Sequence, residues 1–446
     1  MKKTFYIENL GCSKNQVDAE TIIALMEKKG WRYSDADSAE VLIINTCGFI
    51  NDAKEESIQT ILSCRNSYPD KIIIAAGCLA QRYGNELAEE LSEADGFIGN
   101  RDIYAVPDAV EKIVAKTTRL VSPKKSSPDR FVERTHFYNF PGSAYVKIAE
   151  GCCNNCTYCA IPIIRGPLRS VPPKVILQEV RSLVDRGFFE INLVSQDQAS
   201  YGSDIGTDLK SLLQEILKIE GNFRIRLLYM HPDKFDPSLL EIFRNDKRLI
   251  PYFDIPFQHA SEKILAAMGR RGNKEKYLEI VRTIRDALPD SVIRSTIMLG
   301  FTGEKEDDFD CLMEFLKEAA LDWCGFFTYS KEEGTKAASL KGRVTVAVAG
   351  KRKEMAETLQ TSVTEKQLER FVGKKIEVLI EELIPEEDIA LGRSYMNAPE
   401  VDGAVILHFD GVNREKIKPG AVVAARVIRR NNMDLEAAYA GLSSEA

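Results

Sequence analysis

Short apolar runs alternate with helical patterns along most of the chain, and this alternation constrains the fold more than any other feature. In the first 120 residues, apolar runs such as Val41–Ile44 and Ile72–Ala76 are each followed by a segment with helical periodicity. Strands that alternate with helices form parallel sheets covered by helices. The pattern resumes after residue 143, where strands are predicted to end near residues 149, 194, 229, 255, 298 and 328. The sequence therefore predicts a multidomain α/β protein.

This pattern divides the chain into four segments. Residues 1–120 are predicted to form a parallel α/β domain, and residues 121–142, rich in Ser, Pro and charge, a linker. Residues 143–372 are predicted to form a partial TIM-like barrel of six βα units that ends in a long polar helix. Residues 373–446 carry short β-rich runs between turns, which is typical of a small antiparallel β-barrel.

Composition excludes several classes of protein. Lys and Arg number 60 against 67 Asp and Glu, a net charge of −7, so the chain has no strongly basic coat for nucleic acid. No apolar run approaches the roughly 18 residues of a membrane helix. Glu8 interrupts the apolar start that a secretory signal would need. We therefore expect a cytoplasmic protein with no membrane partner.

A group of cysteines on one predicted loop indicates a metal centre. Ten cysteines in 446 residues are too sparse for a disulfide scaffold, and grouped thiols in a reducing compartment more often bind metal. Cys152, Cys156 and Cys159 follow the first strand of the predicted barrel, with Cys153 interpreted as a bystander. Zinc usually takes four ligands, whereas a 4Fe–4S cluster accepts three cysteines and leaves one iron open. The spacing therefore favours an iron–sulfur cluster.

A second set of cysteines is dispersed in sequence. Cys12, Cys47 and Cys78 are separated by 35 and 31 residues, each about one βαβ unit, and each follows a predicted strand. Because parallel strands end at one edge of the sheet, these thiols are expected to converge where such sheets bind ligands. They could form a second cluster site or be three small buried apolar groups, since free cysteine is often buried.

The segment from Glu150 to Cys159 resembles the motif of the radical S-adenosylmethionine (SAM) enzymes. In that family the amino and carboxylate groups of SAM chelate the open iron, and reductive cleavage yields a 5′-deoxyadenosyl radical. The resemblance makes the three loop cysteines cluster ligands and implies that an aromatic side chain lies against the adenine. The residues it assigns to the SAM pocket are Tyr158, Asp197, Arg294, Gly300 and Glu304.

The whole chain resembles the methylthiotransferases, in which an N-terminal domain, a radical SAM barrel and a C-terminal TRAM-type barrel follow one another. Segments Gly11–Asn15, Asn45–Ile50 and Gly77–Gln81 carry the likeness in the first domain. The resemblance implies that Cys12, Cys47 and Cys78 hold an auxiliary 4Fe–4S cluster whose open iron carries the transferred sulfur. It further implies two clusters per chain, with SAM as both methyl donor and radical source.

Two branches of that family differ in substrate. One modifies an adenosine derivative in transfer RNA, and the other the β-carbon of one aspartate in small-subunit ribosomal protein S-twelve. Residues 374–446 carry nine Lys and Arg against thirteen Asp and Glu. An acidic surface of this kind suits a basic protein partner better than RNA, and the alternative is that these acids form an ordinary solvated face. Segments Cys12–Asn15, Ala53–Ser57 and Gly392–Gly403 also look like the ribosomal-protein branch. We therefore expect the S-twelve activity and not binding of tRNA.

The remaining expectations concern contacts and partners. Arg165 and Arg169 follow the cysteine loop and could meet the SAM carboxylate or the substrate, and the acidic Glu386 and Glu387 are predicted to contact the substrate. A flavodoxin- or ferredoxin-like electron donor and a monomeric state are expected, and the sulfur donor is left open. The alternatives are the tRNA-modifying enzyme and a non-catalytic iron–sulfur or zinc protein that binds RNA.

Overall fold

The computed structural model describes residues 3–124, 130–410 and 415–442. The middle of the predicted linker, residues 125–129, and both chain ends therefore lie outside the described residues. Within the described ranges, no helix combines the length and apolar character that crossing a bilayer requires. Three β-structures follow one another along the chain, two parallel sheets and one closed barrel.

The first domain is a six-stranded parallel sheet with helices on both faces. Its strand order is β2-β1-β3-β4-β5-β6, and β3 is buried along its whole length. Apolar residues of α1 and α4 pack on one face and residues of α2 and α3 on the other. The strands are Thr4–Asn9 (β1), Arg32–Tyr33 (β2), Val41–Thr46 (β3), Ile72–Gly77 (β4), Gly96–Gly99 (β5) and Leu120–Val121 (β6), and the helices are Ser13–Lys28 (α1), Asn51–Ser67 (α2), Cys78–Glu90 (α3) and Val106–Val114 (α4).

The second domain confirms the predicted partial barrel. Six parallel strands lie in the order β14-β13-β12-β11-β10-β7, and a two-stranded hairpin, β8 with β9, frames the cysteine loop. The strands are Ser143–Lys147 (β7), Ala149–Glu150 (β8), Arg169–Ser170 (β9), Glu190–Val194 (β10), Arg224–Leu227 (β11), Leu249–Asp254 (β12), Val292–Leu299 (β13) and Trp323–Thr328 (β14). The helices are Ile161–Ile164 (α5), Pro173–Asp185 (α6), Leu209–Ile216 (α7), Leu239–Asn245 (α8), Glu262–Ala267 (α9), Lys274–Ala287 (α10), Glu306–Ala319 (α11) and Val346–Leu368 (α12).

Helix α10 illustrates how the sequence specifies these elements. The side chain of Asn273 accepts a hydrogen bond of 2.9 Å from the backbone N–H of Lys276, which caps the helix start. Tyr277, Val281 and Ile284 then recur at helical spacing and are buried against the barrel. Helix α7 repeats this combination, because the side chain of Asp208 caps it and its apolar residues Leu209, Leu212, Leu213 and Ile216 are buried.

The C-terminal domain is the predicted small closed barrel, with one departure from a fully antiparallel arrangement. Its strands are Lys375–Ile384 (β15), Ile389–Arg393 (β16), Val405–His408 (β17), Val422–Asn431 (β18) and Asp434–Leu442 (β19). They close in the order β15-β16-β17-β19-β18, and β17 pairs with β19 in parallel. Closure removes the exposed edges that an open sheet of this size would present.

A loop of this small barrel, residues 394–402, enters the open barrel of the second domain, and we term it the insert loop. The indole Nε1 of Trp323 donates to the carbonyl of Met396 at 2.8 Å. The hydroxyl of Tyr252 donates to Asp402 Oδ2 at 2.6 Å. Arg226, which is fully buried, donates to the carbonyls of residues 394 and 395. The insert loop therefore joins the last two domains through the interior of the barrel.

The described part of the predicted linker is packed between domains. Arg134 is buried and forms ion pairs with Glu20 of α1 and, at 2.6 Å, with Glu179 of α6. Such a doubly paired, buried guanidinium stabilises one relative placement of the first two domains, because breaking either pair would leave a charge without compensation.

Candidate active site

Cys152, Cys156 and Cys159, which we term the loop trio, lie between β8 and α5. Backbone N–H groups of Asn154 and Ile161 each donate to a thiol sulfur, of Cys152 and Cys159 respectively, at 3.4 Å. Burial raises the pKa of Cys152 to about 11 and that of Cys159 to about 12. Such thiols stay protonated at neutral pH unless a metal displaces the proton. Amide donors aimed at sulfur are a known means of tuning iron–sulfur clusters.

The loop trio is supported from below by the end of α9. The backbone N–H of Thr157 donates to the carbonyl of Met268 at 2.9 Å, and its hydroxyl donates to the carbonyl of Ala267 at 2.8 Å. Gly269 has φ +79°, and a Cβ there would lie 2.7 Å from the carbonyl oxygen of Asn155. Only glycine therefore permits both the turn and the close approach of the loop.

Two of the residues predicted to contact SAM lie beside the loop trio. Tyr158 accepts a hydrogen bond from Arg270 at 3.2 Å and packs edge-on against Phe301. Asp197 accepts from the side-chain amide of Asn154 at 2.8 Å and from the backbone N–H of His231 at 3.1 Å. Tyr158 is thus held by residues that follow α9 and β13, and Asp197 is tied to the loop by Asn154.

The other predicted SAM residues are already engaged by protein groups. Glu304 accepts from the backbone N–H of Gly300 at 2.8 Å and from Arg352 at 2.7 Å. Arg294 lies deeper in the barrel, paired with Asp254 at 3.3 Å and with Asp402 of the insert loop at 3.4 Å. Glu304 therefore braces its turn, and Arg294 joins the barrel wall to the insert loop.

Cys12, Cys47 and Cys78 follow β1, β3 and β4, and we term them the sheet-edge trio. The positive φ of Gly11, +91°, turns the chain before Cys12, and a Cβ there would lie 2.9 Å from Cβ of Cys47. The thiol of Cys78 accepts from Asn100 at 3.3 Å. The convergence predicted for the carboxyl edge of the sheet is therefore present in the structure.

The two trios meet where the first two domains pack together. Cys78 is buried against Ala160 and Ile164, which directly follow the loop trio. A segment after β14 also spans both sites. Its Glu332 pairs with Lys54 at 3.0 Å and Arg82 at 2.8 Å in the first domain, while its Ala337 N–H donates to the carbonyl of Thr157 at 2.8 Å.

Arg165 lies at this junction instead of in open solvent. It donates to Glu150 at 2.9 Å, to Asp18 at 3.0 Å and to the sulfur of Cys78 at 3.3 Å. Lys147 pairs with the same two carboxylates. Burial alone would raise the pKa of Glu150, but Arg165 and Lys147 outweigh it and hold that pKa well below its usual range. Arg165 thus brings positive charge to the sheet-edge trio.

The thiols of the sheet-edge trio differ in their electrostatics. Burial raises the pKa of Cys78 to about 12. Burial would also raise the pKa of Cys12, but Lys14 and Arg165 outweigh it and lower that pKa. Cys12 is exposed to solvent, whereas Cys78 is buried.

The donor set of each trio fits an iron–sulfur cluster. In the described ranges no three His, Cys, Asp or Glu side chains converge closely enough to hold a single metal ion. Three thiols are the set that a 4Fe–4S cluster with an open iron accepts. The cationic and amide donors beside both trios would stabilise the negative charge of such clusters.

The predicted substrate contacts are divided between two places. Arg169 lies in β9, where it donates to the carbonyl of Arg101 at 3.4 Å in the first domain. Glu386 and Glu387 are exposed on the turn between β15 and β16. The neighbouring Glu381 is largely covered and pairs with Arg393 at 2.5 Å, so part of the predicted acidic cluster is internal.

Sequence reasoning missed two groups beside the loop trio, His231 and Arg270. His231 Nε2 lies 3.9 Å from the sulfur of Cys156, and burial, with Arg270, lowers its pKa to about 4. The position of His231, four residues after the end of β11, was the only available signal. Arg270 follows α9, and no pattern in the sequence pointed to it.

Three family models match successive parts of the chain. A model described as uncharacterized protein family UPF0004 matches residues 4–99, one for the radical SAM superfamily matches residues 146–316, and one for the TRAM domain matches residues 372–439. The matches follow the order in which the three β-structures occur along the chain.

Curated relatives match almost end to end. The chain is 45% identical to the ribosomal protein uS12 methylthiotransferase RimO of Treponema denticola, over 96% of this chain and 98% of that protein. It is 40% identical to the protein of the same name from Thermodesulfovibrio yellowstonii, over 97% and 99%.

Solved structures share the fold at low sequence identity. The radical S-adenosylmethionine methyltransferase TsrM from Kitasatospora setae, with cobalamin and a 4Fe–4S cluster bound, is 12% identical and has a TM-score of 0.57. The match covers 76% of this chain and 77% of that one. At this identity the likeness shows a common fold alone.

Proposed function

The chain belongs to the family of ribosomal protein uS12 methylthiotransferases, which are radical SAM enzymes, and from this premise we propose its reaction and site. It replaces a hydrogen on the β-carbon of one aspartate of uS12, the small-subunit protein S-twelve, by a methylthio group. The observation that carries the proposal is the junction of the two trios, where Cys78 packs against Ala160 and Ile164. A reaction that needs both a radical and a sulfur atom requires both sources at one cavity.

We propose two 4Fe–4S clusters, one on the loop trio and one on the sheet-edge trio, with SAM bound beside Tyr158 and Asp197. When bound, these groups supply a 5′-deoxyadenosyl radical at the loop trio and the sulfur to be transferred at the sheet-edge trio. An unactivated C–H bond requires such an oxidant, because no side chain provides one. The protein's own residues bind, orient and shield the reactants.

Several residues of this chain perform that positioning. Arg165 joins the two domains through a buried ion-pair network and brings its charge to Cys78. Glu332 ties the segment after β14 to the first domain. Together they hold the first two domains against each other, and a radical reaction needs such a closed site if side reactions are to be avoided.

We further propose the division of the chain and its partners. Residues 1–120 form the auxiliary-cluster domain, residues 121–142 the connection, residues 143–372 the radical SAM barrel and residues 373–446 the TRAM-type barrel. The exposed acids Glu386 and Glu387 would meet the basic uS12. A monomeric enzyme in the cytoplasm, reduced by a flavodoxin- or ferredoxin-like protein, fits a ribosomal substrate.

The proposed reaction is tested with the anaerobically reconstituted enzyme, SAM, a reductant and either uS12 or tRNA. We expect a gain of one methylthio group on the target aspartate of uS12 and no change in tRNA, measured by mass spectrometry of both products. A mass gain of tRNA alone would reject the proposal, and so would the absence of 5′-deoxyadenosine.

Replacement of Gly269 by alanine is expected to empty the loop trio of its cluster. The new Cβ would lie 2.7 Å from the carbonyl of Asn155, so the cysteine loop must move. Iron per chain should fall by about four, the content of one cluster, and SAM cleavage should cease. Iron analysis after gel filtration and assay of 5′-deoxyadenosine measure both effects.

Gly187→Ala is the matched control for this variant. Gly187 has φ +82°, nearly the value at Gly269, but a Cβ added there would meet no other atom within 4 Å. Both substitutions place alanine in a left-handed backbone conformation, which costs on the order of 1–2 kcal/mol. Only Gly269→Ala also displaces the cysteine loop. Equal iron content in the two variants would show that the loop does not depend on this contact.

A further inference from the structure

Lys14 is a half-buried cation at the junction of the two trios that lacks an anionic partner. It lies in the first turn of α1, two residues after Cys12. Its Nζ lies 3.8 Å from the centre of the Tyr229 ring. Among the residues that the structure describes, no carboxylate pairs with this ammonium and no oxygen accepts a hydrogen bond from it.

The neighbouring cations are all paired, which sets Lys14 apart. Arg165 and Lys147 share Asp18 and Glu150. Arg294 pairs with Asp254 and Asp402, the first of which also accepts the backbone N–H of Tyr229 at 3.2 Å. Both oxygens of Asp254 are therefore engaged, so its charge acts on Lys14 without a direct ion pair, and the barrel wall places an aromatic face against the ammonium.

The residue beneath Lys14 is held in a strained conformation. Tyr229 has φ +68°, which is uncommon for a bulky side chain. Its N–H is bound by Asp254 and its carbonyl accepts from the N–H of Gln198 at 2.9 Å. Strain of this kind persists where the surroundings enforce it and is concentrated at functional sites. Here it directs the ring under the ammonium of Lys14.

We propose that Lys14 binds the carboxylate of the target aspartate of uS12, a proposal that rests on the proposed function. The reacting β-carbon is bonded to that carboxylate, so a cation beside Cys12 would hold the carbon next to the sheet-edge trio. A partly desolvated ammonium without a partner gains more from an incoming carboxylate than a solvated one does. The ring of Tyr229 stabilises the cation while the site is empty.

SAM also carries a carboxylate, and the position of Lys14 favours the substrate as its ligand. Lys14 belongs to the first domain and to the helix that follows Cys12, whereas the proposed SAM neighbours Tyr158 and Asp197 belong to the barrel. The cation therefore accompanies the sulfur source. The experiment distinguishes the two carboxylates by measuring their binding separately.

The test combines substitution of Lys14 in the enzyme with substitution of the target aspartate in uS12. Reconstituted wild type, Lys14→Met and Lys14→Arg are titrated with labelled uS12 and with uS12 whose target aspartate is asparagine. We expect wild type to prefer the aspartate form by about tenfold or more, Lys14→Met to lose that preference and Lys14→Arg to keep most of it. Lys28→Met, at the exposed end of the same helix, should behave as wild type.

Several outcomes would overturn the assignment. The first is that Lys14→Met keeps the full preference for aspartate over asparagine uS12, and the second is that wild type shows no such preference. The third is that Lys14→Met loses affinity for radiolabelled SAM to the same extent in the absence of uS12, which would assign Lys14 to SAM. Iron per chain serves as the folding control, with Lys14→Gln as a second uncharged variant if Lys14→Met loses iron. Failure of wild type to add a methylthio group to uS12 would instead reject the proposed function.

Discussion

A variant with alanine at Cys12, Cys47 and Cys78 is expected to hold about four irons per chain, against about eight in the unaltered protein. The sheet-edge trio would lose every sulfur ligand, while the loop trio keeps its own ligands and its support from the end of α9. The variant should still form 5′-deoxyadenosine and should transfer no methylthio group to uS12. Iron and sulfide analysis of anaerobic material, with mass spectrometry of uS12, measures these effects.

The control removes three other thiols. Cys64 lies in α2, Cys311 in α11 and Cys324 in β14, and these residues belong to neither trio. Alanine at these three positions should leave the iron content near eight. If both triple variants lost the same amount of iron, or if the sheet-edge variant kept eight irons, the second cluster would not be where we propose it.

The sequence predicted most of the architecture because periodicity reports directly on local structure. The six barrel strands end close to the predicted positions, and the sheet-edge trio follows three parallel strands, as the spacing of about one βαβ unit required. Convergence at one sheet edge is a consequence of topology alone. No knowledge of side-chain packing was needed for these predictions.

The roles of individual polar residues could not be predicted in this way. The sequence suggests that Arg165 meets SAM or the substrate, but it pairs with Asp18, 147 residues earlier in the chain, and with Glu150. Whether a buried arginine faces a ligand or another domain depends on contacts between distant segments, which no local pattern encodes. Lys14 and Asp18 both lie in α1, but Asp18 pairs with cations and Lys14 packs over the ring of Tyr229. Only the structure distinguishes these two environments.

The insert loop is a second feature beyond the reach of sequence patterns. The sequence of segment Gly392–Gly403 indicates the ribosomal-protein branch. In the structure this segment binds the C-terminal domain to the inside of the second domain's barrel. Its backbone carbonyls accept from Arg226 and Trp323, so its contacts depend on side chains that it does not itself supply. Main-chain recognition of this kind leaves little trace in the loop's own composition.

Replacement of Glu190 by glutamine is expected to release the insert loop from the barrel. Glu190 is buried between Arg226, at 3.2 Å, and Arg393, at 2.8 Å, and Arg226 in turn holds the carbonyls of residues 394 and 395. Removing one partner of a buried ion pair leaves uncompensated charge and costs about 3–5 kcal/mol. The free energy of opening, measured by native-state hydrogen exchange of the loop amides, should fall by that amount.

The effect of this substitution should depend on pH in a defined direction. Burial alone would raise the pKa of Glu190, but Arg226 and Arg393 outweigh it and hold the pKa at about 2, below the ordinary value of 4.5. A lowered pKa in the folded state means that the stabilisation is complete above about 4.5 and is lost as the pH falls toward 2. The difference between wild type and Glu190→Gln should therefore narrow through that window. The control is Glu215→Gln, which removes an exposed ion pair with Lys218 and should change the free energy of unfolding by less than about 1 kcal/mol. If the difference between wild type and Glu190→Gln stayed constant with pH, the charged pairing of Glu190 would be contradicted.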